Sequence, residues 1–215
     1  MTEEFRYVII DGQDKTGKTT ISKRLQRKYG VKIARFPSAK NKALFQEILE
    51  GTIDNQLVAL HMFSADILAE MEKMKRKGGK YIFDRSFIST LAYQSGYIAE
   101  KYFGGNIHSA IDYIFRGFFP NYKIDPKPDF IFILTVNSLE YQKRLEEYHN
   151  KTGTPIEVYE KVEFQRTLFD KFVKIYRYLT FWYEDTRIMF IDTSDKSIDT
   201  VYEIIENTLK EEKFI

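Results

Sequence analysis

Residues 12 to 19 read GQDKTGKT, so two glycines stand five positions apart and the second is followed at once by a lysine and a threonine. That is the spacing G-x-x-x-x-G-K-[ST], and the chemistry it serves is phosphate binding. Glycines let the backbone curl until successive N–H groups point inward at phosphate oxygens, and the start of a helix reinforces the positive end. Lys18 would reach the β- and γ-phosphates, while the Thr19 hydroxyl would hold Mg²⁺. Gly12, Gln13, Asp14, Lys15, Thr16, Gly17, Lys18, Thr19 and Thr20 are therefore the candidate triphosphate contacts. Asp14 and Lys15 need a separate reason. A carboxylate beside phosphates is unfavourable unless it meets a hydroxyl or a cation, so Asp14 is expected to face a second substrate. Lys15 could then bring positive charge to the transferring phosphoryl group.

Such a loop works only if a strand delivers it and a helix leaves it. Apolar runs at 5–11, 31–36, 80–84, 129–136 and 187–192 read as strands, and their unbroken apolar character predicts burial on both faces. Helical patterns alternate with them, over 19–28, 42–50, 55–77, 86–100, 107–117, 138–148, 157–178 and 197–211. Gly78 and Gly79 read as the stop of the third helix before the next strand. Alternation of this kind predicts an α/β fold, a five-stranded parallel sheet flanked by helices, with ligands at the carboxyl ends of the strands. With no internal repeat and no Pro/Gly/Ser-rich linker, one domain over 1–215 is expected.

Composition narrows the classes. The 33 basic and 31 acidic residues leave a net charge of +2, which gives no bulk attraction for nucleic acid or membrane, so phosphate binding must be local. There is no cysteine for a disulfide, a thiolate metal site or a nucleophile. His61, His108 and His149 lack metal-ligand spacing. The first six residues carry no apolar signal segment, and no run reaches transmembrane length, so a cytoplasmic protein is the expectation.

Several further stretches, in order, resemble the thymidylate kinases, P-loop enzymes of the nucleoside monophosphate kinase type with a short lid. DGQDKTGKTT resembles that family's phosphate loop, RFPS at 35–38 its Phe-Pro step, and HMFSADI at 61–67 its base-stacking helix. FDRSFISTLAYQSG at 83–96 resembles its Asp-Arg motif. PKPDFIFIL at 126–134, VYEKVEFQ at 158–165 and IDTSDKSID at 191–199 resemble the fourth strand, the segment after the lid and the adenine-side loop. The resemblance implies ATP-dependent phosphorylation of a pyrimidine deoxynucleoside monophosphate, dTMP above others, with Mg²⁺ as cofactor and a homodimer as the assembly.

The same resemblance assigns roles. Lys15, Lys18, Asp84 and Arg85 would be catalytic, with Thr19 and Asp84 at the metal and Arg85 on the acceptor phosphate. Phe63 would stack on the pyrimidine, and Phe36 and Pro37 would wall the sugar, although core packing competes for Phe36. Ser89 and Thr90 would offer hydroxyls to the base edge, and Tyr93, at i+4 from Ser89, would pack on the deoxyribose. Tyr159 and Gln165 would close over the substrate, Asp14 would accept from the 3′-hydroxyl, and Arg144 and Ser194 would serve the adenine. The lid falls at about 143–156, where Lys151 is the basic residue after Arg144. A cation in the loop, Lys15, thus points to the branch in which the loop rather than the lid supplies the catalytic charge.

Three positions depart from the pattern. Ile67 stands where an arginine usually donates to the base, and isoleucine cannot donate, which implies relaxed or shifted base selectivity unless Gln94 or Thr90 restores the contact. Ala39, flanked by Lys40 and Lys42, stands where an arginine often meets the acceptor phosphate. Residues 96–125 are long and aromatic, as a dimer surface or a specialised cover would be. A deoxynucleoside kinase is the nearest alternative, since Asp84-Arg85-Ser86 suits it, but FPSAK lacks the carboxylate base it needs after the second strand. A non-catalytic nucleotide-binding module is the alternative of another class, disfavoured by the intact Lys18, Thr19, Asp84 and Arg85.

Overall fold

Strand β1 (Phe5–Gly12) is apolar enough to be enclosed on both faces, and it lies at the centre of a parallel sheet. In the computed structural model, which describes residues 4–52, 55–118, 127–184 and 186–215, β1 is flanked by β3 (Gly79–Asp84) and β4 (Phe130–Thr135), with β2 (Lys32–Arg35) and β5 (Arg187–Asp192) outermost. The order is β2-β3-β1-β4-β5. All four pairings are parallel, so every described strand ends at the same edge of the sheet. The three inner strands are buried throughout apart from Arg6 and Lys80, as their sequences predict. The edge strands β2 and β5 are half-exposed instead, because each has a neighbour on one side only.

Helices α1 (Lys18–Tyr29), α2 (Lys42–Leu49), α3 (Gln56–Lys77), α4 (Phe87–Tyr102), α5 (Ile107–Phe118), α6 (Ser138–Thr152), α7 (Val162–Trp182) and α8 (Ile198–Glu211) cover the sheet. One face of the sheet packs with Leu91, Ile114, Phe115, Phe172 and Ile175 from α4, α5 and α7, and the other with Ile21, Leu25, Val201 and Ile205 from α1 and α8. Three helix boundaries differ from the sequence pattern by four residues or more, one of them the end of α7, which lies at Trp182 rather than at 178. The apolar period over 157–178 is interrupted: Val158–Glu160 forms one tight turn, Lys161 sits in extended backbone (φ −60, ψ 137), and α7 starts afterwards. The interruption has a cause in Glu157 and Glu160, whose backbone and side-chain groups cap each other reciprocally. Helix α6 also runs four residues further than expected, to Thr152, so most of the lid segment is helical up to its cap at Gly153.

The aromatic segment divides in two. Ile98, Ala99, Ile111, Ile114 and Phe115 are core, whereas Tyr102 and Tyr113 are exposed; residues 119–125, together with Pro126 before β4, lie outside the described residues. No described helix is long and apolar enough to cross a membrane.

Candidate active site

The loop between β1 and α1 is forced into shape by close approach. At Gly12, with φ +127, a Cβ would lie 2.0 Å from the Leu134 carbonyl oxygen of the neighbouring strand, so no other residue fits. Gln13 N–H donates to that same carbonyl at 3.0 Å. The buried Gln13 side chain clamps both flanks: its Oε1 accepts from Val136 N at 2.9 Å, and its Nε2 donates to the Gln165 carbonyl at 2.9 Å. Gln13 thus builds the loop from beneath. Lys18 folds back over the loop, donating to the Gln13 carbonyl, which also accepts from the Thr16 hydroxyl at 2.8 Å. Burial, with the Arg85 charge added, lowers the Lys18 pKa to about 8.

Asp14 is where the loop meets the rest of the site. One oxygen takes the Arg85 guanidinium; the other accepts from the Tyr93 hydroxyl and from Gln165 Nε2, each at 2.8 Å. Burial alone would raise its carboxyl, but Arg85, Lys18 and the Tyr93 hydrogen bond outweigh that and hold it below its ordinary value. Arg85 is itself in left-handed backbone, with φ 72, and its pKa rises well above the usual value because Asp14 outweighs its burial. Tyr93 is pushed up by burial and by the Asp14 charge. Gln165 does not form a cover: it is 1% exposed and ties Asp14 to the Tyr159 carbonyl, 2.7 Å away.

Asp84, at the end of β3, accepts from the Thr19 hydroxyl at 2.6 Å. A hydroxyl and a carboxylate converging this way are hard oxygen donors, the kind Mg²⁺ takes alongside substrate phosphates rather than in an all-protein cage. Consistent with that, no group of three or more His, Cys, Asp or Glu is placed to hold a metal among the described residues.

Around these groups opens a cleft of about 850 Å³. Its lining brings together Lys15, Lys18, Thr19 and Thr20 from the loop and α1, the apolar Phe36, Pro37, Phe63, Ile67 and Tyr159 with Thr90, and Asp14, Arg85, Ser89 and Tyr93. Phe63 stacks on Phe45, centroids 5.0 Å apart, and Phe36 packs edge-on against Phe83, so it is both wall and core. Tyr159 meets Tyr93 edge-on and donates to Gln56 at 3.1 Å. Ser89 serves the scaffold, because its hydroxyl donates to Asp11 at 2.5 Å. Arg144 and Ser194 lie outside the cleft lining. Arg144 bridges Glu140, the Lys15 carbonyl and Thr193, and Ser194 donates to Asp192 at 2.6 Å.

Three side chains, Asp11, Asp66 and Glu160, escaped the sequence reading. Asp11, fully buried, accepts from Gly12 N, Ser86 Oγ, and Ser89 N and Oγ, which fixes the start of α4 to the loop. A carboxylate inside the apolar run of β1 was its signal. Asp66 holds Ser38 by both its N–H and its hydroxyl. Glu160 pairs with Lys15 at 2.6 Å, which places Lys15 toward the lid side rather than inward over the loop. Gln94 lines the cleft at 1% exposure, and its Oε1 lacks a hydrogen-bond partner among the described residues.

A parallel sheet in this order, a glycine-forced phosphate loop at its carboxyl edge and a Thr-Asp pair beside it define a P-loop phosphotransferase of the nucleoside monophosphate kinase type. The thymidylate kinase family model matches residues 10–205. The chain therefore belongs to the thymidylate kinase family. It is 29% identical to a probable thymidylate kinase of Methanocaldococcus jannaschii, over 95% of both chains, and 26% identical to one of Methanococcus vannielii, over 92% of this chain and 91% of the other. Among solved structures, a thymidylate kinase from Candida albicans shares the fold at TM-score 0.73 and 24% identity, covering 100% of this chain and 95% of that one. A deoxyadenosine kinase from M. mycoides with bound dCTP shares it at TM-score 0.64 and 19% identity, covering 95% and 99%.

Proposed function

We propose that the protein transfers the γ-phosphoryl group of ATP to dTMP, with Mg²⁺ required. The observation that carries this reading is the junction at Asp14, where the phosphate loop is joined through Arg85 and Tyr93 to a second, aromatic-walled compartment within one cleft. Phosphoryl transfer of this kind asks the protein for positioning and charge, not covalent chemistry. The loop N–H groups and Lys18 receive the triphosphate. Thr19 and Asp84 would hold the Mg²⁺, which supplies charge neutralisation when bound. Arg85 receives the acceptor phosphate, and Asp14 exchanges one of its present partners for a sugar hydroxyl. Phe63 and Ile67, one turn apart on α3, offer the base stacking and apolar contact. Tyr159 and Tyr93 narrow the sugar region.

Transfer to a free nucleoside would need a carboxylate base after β2. Asp66, which reaches the segment after β2, already accepts from Ser38 through both oxygens, which favours a monophosphate acceptor. The experiment is a coupled ADP assay with ATP and Mg²⁺ against dTMP, dUMP, dCMP, thymidine and deoxyadenosine. Turnover with the monophosphates alone is expected. Turnover with free nucleosides and none with monophosphates would replace this reading with a nucleoside kinase.

A further inference from the structure

Lys15 is held from three directions that phosphate binding does not explain. Its ammonium pairs with Glu160 Oε1 at 2.6 Å, lies 3.6 Å from the centroid of the Tyr148 ring, and its own carbonyl accepts from Arg144 at 3.2 Å. Its backbone is left-handed, with φ 57, a conformation that costs a lysine energy and is kept only where the surroundings impose it. Glu160 is fixed in turn. Its second carboxylate oxygen accepts from Glu157 N at 3.2 Å, and its carbonyl accepts from the Tyr141 hydroxyl at 2.8 Å. Lys15, Tyr148 and Glu160 all line the cleft, and the ion pair is only 15% exposed on each side, so solvent screens it weakly.

We propose that Glu160 is a positioning residue that competes with the triphosphate for Lys15, so that the loop cation turns to the γ-phosphate only by leaving its partner on the lid side. This rests on the reading of residues 12–19 as a triphosphate loop. The competition sets ATP affinity. Lys15 gains a phosphate and loses a carboxylate, so its net contribution to ground-state binding is small while its charge remains available at the reacting group. Removing the carboxylate charge weakens the competing state to a neutral hydrogen bond.

The test is calorimetric binding, without acceptor, of the β,γ-imido analogue of ATP and of AMP, to wild type, Glu160→Gln, Lys15→Met and the double variant. Glutamine keeps an oxygen for Glu157 N and lacks the charge. Glu160→Gln should bind the triphosphate analogue about three- to fivefold more tightly, the worth of one partly screened ion pair, and AMP unchanged. In the Lys15→Met background the same substitution should shift binding by less than twofold. Tyr148→Leu, at a half-exposed position, should tighten analogue binding in the same direction and guards against a misfolded Glu160 variant. An unchanged analogue affinity in Glu160→Gln overturns the proposal. So does an equal gain for AMP, or a full effect persisting in Lys15→Met, since direct repulsion of phosphates would then explain it. Wild type that binds no triphosphate analogue would instead overturn the functional reading itself.

Discussion

Gln94 presents a buried amide to the cleft with its Oε1 unpartnered among the described residues, beside the apolar Ile67. A buried acceptor without a donor costs about 1–3 kcal/mol, a factor of roughly 5 to 150 in an equilibrium constant. A base whose N3–H reaches that oxygen recovers this amount on binding. Gln94→Met keeps the volume and removes both the orphaned acceptor and the donor. Two opposite effects should follow. The fold should gain stability, and since about 1 kcal/mol moves Tm by about 2–4 °C at this size, scanning calorimetry should show a rise of a few degrees. Meanwhile kcat/KM for dTMP should fall by roughly 5- to 150-fold. Because an amide can present either its oxygen or its nitrogen after a half-turn, and Ile67 adds no donor, wild-type preference for dTMP over dCMP should stay within about 10–200-fold, the range of a mainly apolar site. Ile67→Arg should widen that preference. A variant Gln94→Met with lower Tm and dTMP kinetics within twofold of wild type would show that the amide is structural and never meets the base. A wild-type preference above about 10⁴-fold, the discrimination of a site built around a required polar contact, would refute the account of Ile67.

Lys18→Met should abolish turnover. In wild type the lowered pKa of Lys18, about 8 through burial and the Arg85 charge, means the free enzyme sheds this proton above pH 8 and the phosphates restore it. ATP binding at pH 8.5 should therefore take up a proton, seen as buffer-dependent enthalpy, and the affinity should fall as pH rises. For stability the sign is the opposite: the unfolded lysine titrates near 10.5, so the penalty of burying the charge is present below pH 8 and disappears as pH climbs from 8 to 10.5. Lys15→Ala should lower kcat by about 10²-fold, the loss expected for one charge at the reacting group, with a much smaller change in KM. Asp84→Asn should weaken Mg²⁺ activation, read as a raised Mg²⁺ requirement in the ADP assay. Asp14→Asn leaves Arg85 buried without its carboxylate, and urea denaturation should show a loss on the order of 1–3 kcal/mol together with lower kcat/KM for the acceptor. That contribution of Asp14 is present above the ordinary carboxylate range and should fade in wild type as acid protonates the group, at a pH below 3.8.

The frame of the molecule was legible because its signals are local. Five apolar runs became five strands, and the loop motif needed only its own spacing to fix Gly12, Gly17 and Lys18. What escaped has long reach or opposes the local pattern. The apolar period over 157–178 is continuous in sequence, so the break at Lys161 showed only once the Glu157–Glu160 caps were in place, although two glutamates three apart were its available sign. The resemblance put Gln165 over the substrate, but not its actual place: it is buried and bonds Asp14 from 151 positions away. Arg144 kept its place beside the loop but spends its donors on Thr193 and Lys15 rather than facing the cleft. The edge strands read as buried because pattern alone cannot tell how many neighbours a strand will have.

The two residues other than glycine in left-handed backbone at this site, Lys15 and Arg85, are the two cations we propose for the triphosphate and the acceptor phosphate. Each such conformation costs on the order of 1–3 kcal/mol, and each is held by an anion across the cleft: Glu160 for the first, Asp14 for the second. Asp14 and Lys15 are adjacent in the chain, so the two cations are connected through one peptide bond and the Asp14–Arg85 ion pair. An acceptor that takes Arg85 loosens Asp14, and any movement of Asp14 is transmitted to the turn that presents Lys15. The opposite charges at 14 and 15 thus serve one purpose between them. The carboxylate ties the loop to Arg85, and the ammonium is the group that, on the proposal above, changes partners.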